Sequence, residues 1–235
     1  QNNVQGACDM GAGPADFTGY QKVANPEMRA KFEAAWGVEL NQAAGLKATE
    51  CFPAMIDGRI RGLFLFGEDP VRTDPDTGHV IRALESLDFF VCEELFMTET
   101  AKYADVILPG RSYAEKEGTF TNTERRVQRV RKAVDGPAGA RLDTEVFADI
   151  MRRMGYDQPT LTGAQLMDEV ASLTPSYAGI SMRAWTPPPW RGEGRAVAVR
   201  GSGPSGHAHH ARGGVLARFG WILAGAVPSI GRAAR

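Results

Sequence analysis

Five places in the chain combine residue types that could hold a charged, hydrogen-bonding ligand. Gln1 heads the run Gln1–Gly11, and its neutral amide can donate to an anionic sulfur and accept from a ring N–H. In Gly67-Glu68-Asp69-Pro70, a glycine that lets backbone approach a ligand closely adjoins two carboxylates able to accept from the N–H edge of a heterocycle. Glu93-Glu94 is an adjacent acid pair; near a pyrophosphate two such charges repel unless one is protonated or turned outward. Lys116, within Glu115-Lys116-Glu117-Gly118, offers an ammonium that would offset phosphate charge, and Asp143 opens an amphipathic stretch. Plain structural roles compete with each of these. Gly6 and Gly11 supply turns, a Gly-acid-Pro turn is common anywhere, and Asp143 serves as an N-cap for a helix from Thr144. Arg125, Arg126, Arg129 and Arg131 could form a solvated basic face, the preferred reading for Arg129 and Arg131.

The elements that must position these residues follow from local pattern. Asn25 as cap, Pro26 in the first turn and Gly37 as stop predict a helix ending at Trp36. Residues 59–66 read as an apolar strand, 79–87 as a helix, 88–92 as a strand, 98–103 as a short helix and 106–108 as a third strand. Strand and helix alternating at this spacing predict an α/β fold, a parallel sheet with helices on its faces. Ligands in such sheets bind beyond the carboxyl ends of the strands, which places Asp69 and Glu94 at one crevice. Residues 144–154 and 164–173 are two further helices.

Composition divides the chain. Residues 1–182 carry 19 Lys and Arg against 27 acids, a net charge of −8, whereas residues 183–235 carry eight Arg against Glu193 alone, a net of +7. An acidic body argues against nucleic acid as principal partner, because phosphate binding needs clustered cations. Cys8, Cys51 and Cys92 lie 43 and 41 residues apart, a spacing that matches neither a CxxC metal site nor a dense disulfide framework, and they read as reduced thiols of a cytoplasmic-type protein. No apolar run approaches the ~20 residues of a membrane span, and residues 219–227 are too few. His207, His209 and His210 sit in Arg- and Gly-rich sequence that promises no rigid support for a metal.

Asn3–Ala12 together with Thr98–Gln128 resembles the molybdopterin-dependent formate dehydrogenase catalytic (alpha) subunit, within the molybdopterin oxidoreductase superfamily. The second segment aligns with the superfamily nearly without gaps, and Thr121-Asn122-Thr123-Glu124-Arg125-Arg126 points to the formate dehydrogenase branch. The resemblance covers residues 1–182 and implies part of a Rossmann-like domain that clamps one half of a bis-molybdopterin guanine dinucleotide carrying molybdenum or tungsten. It places Gln1 next to the dithiolene end of the cofactor, Gly67, Glu68 and Asp69 in the family's Gly-Glu-Asn/Asp-Pro turn, and Glu94 at a guanine moiety. Glu93 stands where the family commonly has Gln, and Phe66 where it has Met. Lys116 matches a cofactor-contacting Lys of related nitrate reductases, and Asp143 an Asp that contacts pterin. The family's metal ligand and its 4Fe-4S cysteines lie upstream of this stretch, so the chain reads as a fragment, and no catalytic residue is assigned. Formate as substrate, NAD or another electron acceptor, and an NAD/FMN-binding diaphorase subunit as partner are further implications.

Residues 183–235 fall outside the resemblance. Back-translated into GC-rich codons and shifted by one nucleotide, 193–202 reads RAVQWPCGDQ and 206–219 reads GTPIMHEGGFSRGL, both similar to segments that follow this point in formate dehydrogenases. A frameshift near residues 183–192, and hence an unstructured tail, is the expectation. Two rivals stay open: the large subunit of a respiratory NADH dehydrogenase, against which the Gln5–Gly11 run speaks, and a non-catalytic nucleotide-binding scaffold.

Overall fold

The computed structural model describes residues 3–182 and the two-residue strand Val197–Ala198. The expected role of Gln1, and the expected unstructured tail apart from that strand, lie outside the described residues. Within the span read above as one domain, the chain gathers into two compact units: 3–45, 111–137 and 142–182 in one, 46–110 and 138–141 in the other.

The second unit is the α/β layer. Gly62–Phe66, Phe89–Glu94 and Val106–Pro109 form a parallel sheet with Phe89–Glu94 in the middle, Leu65 opposite Cys92 and Cys92 opposite Ile107. Parallel neighbours need crossovers. The first crossover carries helices Pro70–Thr73 and Thr77–Glu85, and the second the 3-10 turn Thr100–Tyr103. The Thr77–Glu85 helix packs with Ala48–Ile56, and Met55, Val80, Ala83, Leu84, Leu87, Phe90 and Cys92 make the core between helices and sheet. The first strand starts at Gly62 rather than at Arg59. Arg59 pairs with Asp57 and Arg61 with Asp88 in a solvated turn, so the guanidinium groups stay out of the ladder. The Thr77–Glu85 helix begins two residues earlier than the apolar pattern suggests, because the Asp76 carboxylate accepts from His79 N–H at 2.9 Å.

The first unit is held by a different core. Helix Pro26–Trp36 forms as the sequence predicts. Asn25 Oδ1 accepts from Glu27 N–H at 2.9 Å, and Gly37 closes the helix at φ 64°, a left-handed conformation glycine adopts without a Cβ penalty. Its buried face stacks Phe32 on Phe17, with ring centres 4.5 Å apart, and sets it at a tilt against Trp36, with centres 4.9 Å apart. Trp36 Nε1 donates to Glu169 at 2.8 Å, tying this helix to Gly163–Leu173. An antiparallel sheet pairs Gly118–Thr121 with Arg126–Val130, and Val197–Ala198 lies on the far side of Arg126–Val130. Val127, Met167, Val170, Tyr177, Ile180 and Met182 pack around that sheet. Arg129 corrects the solvated-face expectation: its guanidinium donates to Met182 O at 3.0 Å and to Glu117 at 2.8 Å. Among the described residues no helix is long and apolar enough to cross a membrane.

Candidate functional site

At the carboxyl edge of the parallel sheet, Gly67 leaves the first strand with φ 63°, and its N–H donates to Glu93 O at 3.0 Å. Glu68 and Gly67 are exposed. Asp69 turns inward: Oδ1 accepts from Thr100 N–H at 3.0 Å and from Thr100 Oγ1–H at 2.6 Å, while Thr100 Oγ1 accepts from Val71 N–H at 3.0 Å. The carboxylate therefore fastens the turn to the second crossover as well as standing at the strand end. The middle strand extends two residues beyond the expected Cys92 and takes both acids into the ladder. Side chains alternate along a strand, so Glu93 and Glu94 point to opposite faces. Glu93 is 1% exposed and lies against Gly110, whereas Glu94 is half-buried and its Oε1 accepts from Leu95 N–H at 2.6 Å.

Asp69, Glu93 and Glu94 all act on Cys92. Burial pushes its thiol up to about 11, and the charges of Glu94, Asp69 and Glu93 add to that. Cys51 is pushed up by burial and by Glu50, while Cys8 is exposed. Alkylation follows thiolate content and access. Iodoacetamide at pH 8 is expected to label Cys8 first and Cys92 only after unfolding, as read by peptide mapping. Labelling of Cys92 as fast as Cys8 would mean that this sheet edge opens readily in the native protein.

The first unit carries an open pocket of about 600 Å³ lined by Lys116, Asp143, Arg111, Lys132, Thr119 and Thr162, among others. Lys116 Nζ and Asp143 Oδ2 are 2.5 Å apart, with side chains 27% and 21% exposed. Sequence reasoning named both residues but gave no sign that they touch. Asp143 is not the cap of its helix. The helix runs Asp143–Arg153 with Leu142 at the cap position, and Glu145 Oε2 accepts from Leu142 N–H at 3.1 Å. Asp143 is thus free of the capping duty, in the first turn, where a helix favours negative charge. A second helix, Gly163–Leu173, also starts at the cavity, capped by Thr162. Two helix N-termini, three cations (Arg111, Lys116 and Lys132) and four carboxylates (Glu115, Glu117, Asp143 and Glu145) thus line one pocket, which suits a polar guest that both donates and accepts hydrogen bonds.

One group of polar residues escaped sequence reasoning. Asp9, at the end of helix Val4–Asp9, is 0% exposed; Gln5 Nε2 donates to it at 2.7 Å, and the Tyr20 hydroxyl also hydrogen-bonds to it. Burial pushes the Asp9 carboxyl up, opposed by the bonds from Gln5 and Tyr20 and by the charge of Arg125. Tyr20 is pushed up to about 12, first by burial and then by Asp9. Tyr20 (φ 53°) and Arg125 (φ 61°) are the non-glycine residues with positive φ among those described. Such conformations cost on the order of 1–3 kcal/mol each and persist only where surroundings enforce them. Asp9 lies inside the Asn3–Ala12 motif, but no periodicity marks it as buried.

Comparison with known proteins is consistent along the chain. The profile of a family described as Molybdopterin oxidoreductase matches residues 1–153. A protein of Staphylococcus haemolyticus (strain JCSC1435), named "Putative formate dehydrogenase", is 48% identical over 180 residues, which is 77% of this chain and 18% of that protein. A protein of Staphylococcus aureus (strain USA300) with the same name is 46% identical over the same shares. The chain therefore spans about a fifth of the length of these curated relatives. Among solved structures, acetylene hydratase from Pelobacter acetylenicus matches with a TM-score of 0.51 and 21% identity, over 77% of this chain and 25% of that one. That likeness speaks for the fold.

Proposed function

Because the chain belongs to the molybdopterin oxidoreductase family, we propose that it is part of a formate dehydrogenase catalytic subunit and that its own role is to hold a molybdopterin guanine dinucleotide. The observation that carries this reading is the 48% identity, across 180 residues, to a relative bearing that activity in its name. Each unit by itself offers donors and acceptors suited to part of such a group. In the first unit, Lys116 stands beside a cavity of about 600 Å³ into which two helix N-termini open, and Asp143 offers acceptors for a pterin N–H. In the second unit, Gly67 leaves backbone open at a strand end, where Glu68, Asp69 and Glu94 offer carboxylates suited to a guanine N–H edge. Buried Glu93 is assigned the lesser part, that of shaping the strand end. Gln1 would meet the dithiolene end.

The bound cofactor, with molybdenum or tungsten, supplies the two-electron chemistry; the residues here supply position and charge. In the intact subunit, formate is the substrate, 4Fe-4S clusters carry the electrons, and NAD or another acceptor, reached through a diaphorase-type partner, receives them. The test is to purify the intact enzyme that contains this segment, measure molybdenum or tungsten and pterin, and assay formate-dependent dye reduction. Pterin-loaded enzyme without formate oxidation would overturn the substrate; absence of pterin would overturn the binding role.

A further inference from the structure

A side chain at position 136 would collide with Arg111. A Cβ on Gly136 would lie 3.0 Å from Arg111 Nε and 3.2 Å from its Cδ and Cγ, so the arginine stem lies flat across the bare glycine. Backbone bonds hold the two stretches of chain side by side: Ala133 N–H and Val134 N–H both donate to Ala114 O, at 2.8 and 3.1 Å. Lys132 pairs with Asp135 in the same segment. Arg111 is thus half-buried, and it lines the pocket of about 600 Å³ at which Lys116 and Asp143 stand.

An arginine laid in such a slot is pre-organised, and its planar fork offers paired donors where a lysine offers a point charge. Asp143 offers the opposite: it meets Lys116 through Oδ2 and keeps Oδ1 as an acceptor. The other three lining carboxylates have partners of their own. Glu115 accepts from Ser112 N–H at 2.9 Å, Glu117 from the Arg129 guanidinium at 2.8 Å and Glu145 from Leu142 N–H at 3.1 Å. A paired donor and an acceptor on one pocket suit a ring with an acceptor edge and a donor edge. A fused 2-amino-4-oxopyrimidine is such a ring; its carbonyl and neighbouring ring nitrogen are what an arginine fork reads on guanine in nucleic acids. We infer that Arg111 is a ligand-binding residue of this pocket, forking onto the acceptor edge of a fused 2-amino-4-oxopyrimidine whose donor edge faces Asp143, with Gly136 as the slot that aims it. The inference deepens the cofactor-binding reading above and rests on it. A molybdopterin guanine dinucleotide carries this chemistry twice, as pterin and as guanine.

The test uses the intact enzyme, both loaded and prepared from cells unable to make the cofactor. In the cofactor-free protein, modification of Arg111 by phenylglyoxal is followed by peptide mapping with and without 6-hydroxymethylpterin, GMP or AMP. Protection by the pterin or by GMP, and none by AMP, is expected; the pterin alone would assign the pterin end to the pocket, and GMP alone the guanine end. Protection by neither, or equal protection by AMP, which lacks the carbonyl, would overturn the inference. In the loaded enzyme, Arg111→Ala and Gly136→Val are expected to lose pterin on dilution roughly tenfold faster or more, at a near-wild-type melting temperature of the cofactor-free protein. Arg111→Lys, which keeps the charge and loses the fork, should fall between. If Gly136→Val does not fold, the two Arg111 variants carry the test, and wild-type retention of pterin in Arg111→Ala overturns the assignment. An intact enzyme that carries no pterin, while the pterin or GMP still protects Arg111, would overturn the cofactor reading alone.

Discussion

Lys116→Ala in the intact enzyme is expected to empty the cofactor site before it changes any chemical step. Lys116 lines the first-unit cavity and stands 2.5 Å from Asp143, so its removal takes a cation from the guest and leaves the Asp143 carboxylate without its partner. A lost charged hydrogen bond costs on the order of 1.5–3 kcal/mol, or roughly tenfold or more in affinity. Asp143→Ala should act in the same direction, because Lys116 then loses the group that holds it in place. Asp69→Ala differs. Its Oδ1 ties Thr100 by two bonds, so the loss of load should come with a lower melting temperature. Metal analysis and pterin fluorescence, measured beside formate oxidation, decide the matter: load and activity should fall together. Variants that keep full load and lose activity would show that these residues act in the chemistry itself.

A larger effect on folding is expected at Phe32. The ring is 0% exposed and packs against both Phe17 and Trp36, with centres 4.5 and 4.9 Å away. Phe32→Ala removes that packing and leaves a cavity, a change that typically costs about 3–5 kcal/mol. Single domains are stable by only about 5–15 kcal/mol, so this is a large share. Urea titration followed by tryptophan fluorescence should show a lower midpoint, since Trp36 reports from the same cluster. Phe32→Leu, which refills part of the space, should cost less. Equal and small shifts for both would mean that the cluster collapses onto the gap.

What could be read from sequence was what local chemistry dictates. Helix Pro26–Trp36 was legible to the residue because Asn25, Pro26 and Gly37 each act on their immediate neighbours. The parallel sheet was legible because three apolar runs alternate with helical stretches, although the middle strand continues through Glu93 and Glu94. Helix Ala48–Ile56 was missed because Pro53 sits inside it, and interior proline usually signals a break. The hairpin of Gly118–Thr121 and Arg126–Val130 was missed because its residues read as a polar motif; pairing with Asn3 and burial of Val127 supply what alternation does not. The candidate site was legible only as separate residues. Lys116 and Asp143 are 27 positions apart, and no local pattern announces their contact.

The second unit is nearly continuous in sequence, lying between two segments of the first. That order has a temporal consequence on the ribosome. At about 5–20 residues per second, the chain needs roughly 6–24 s to grow from Asn3 to Thr121, a separation of 118 residues. Residues 46–110 carry the parallel sheet and emerge together, so this unit can close within that interval. The Asn3 amide, which pairs with the Thr121 backbone, must wait for its strand. A nascent chain stalled once residue 110 has left the exit tunnel but before Thr121 has done so should therefore protect the sheet from protease while leaving Val4–Asp9 open to cleavage.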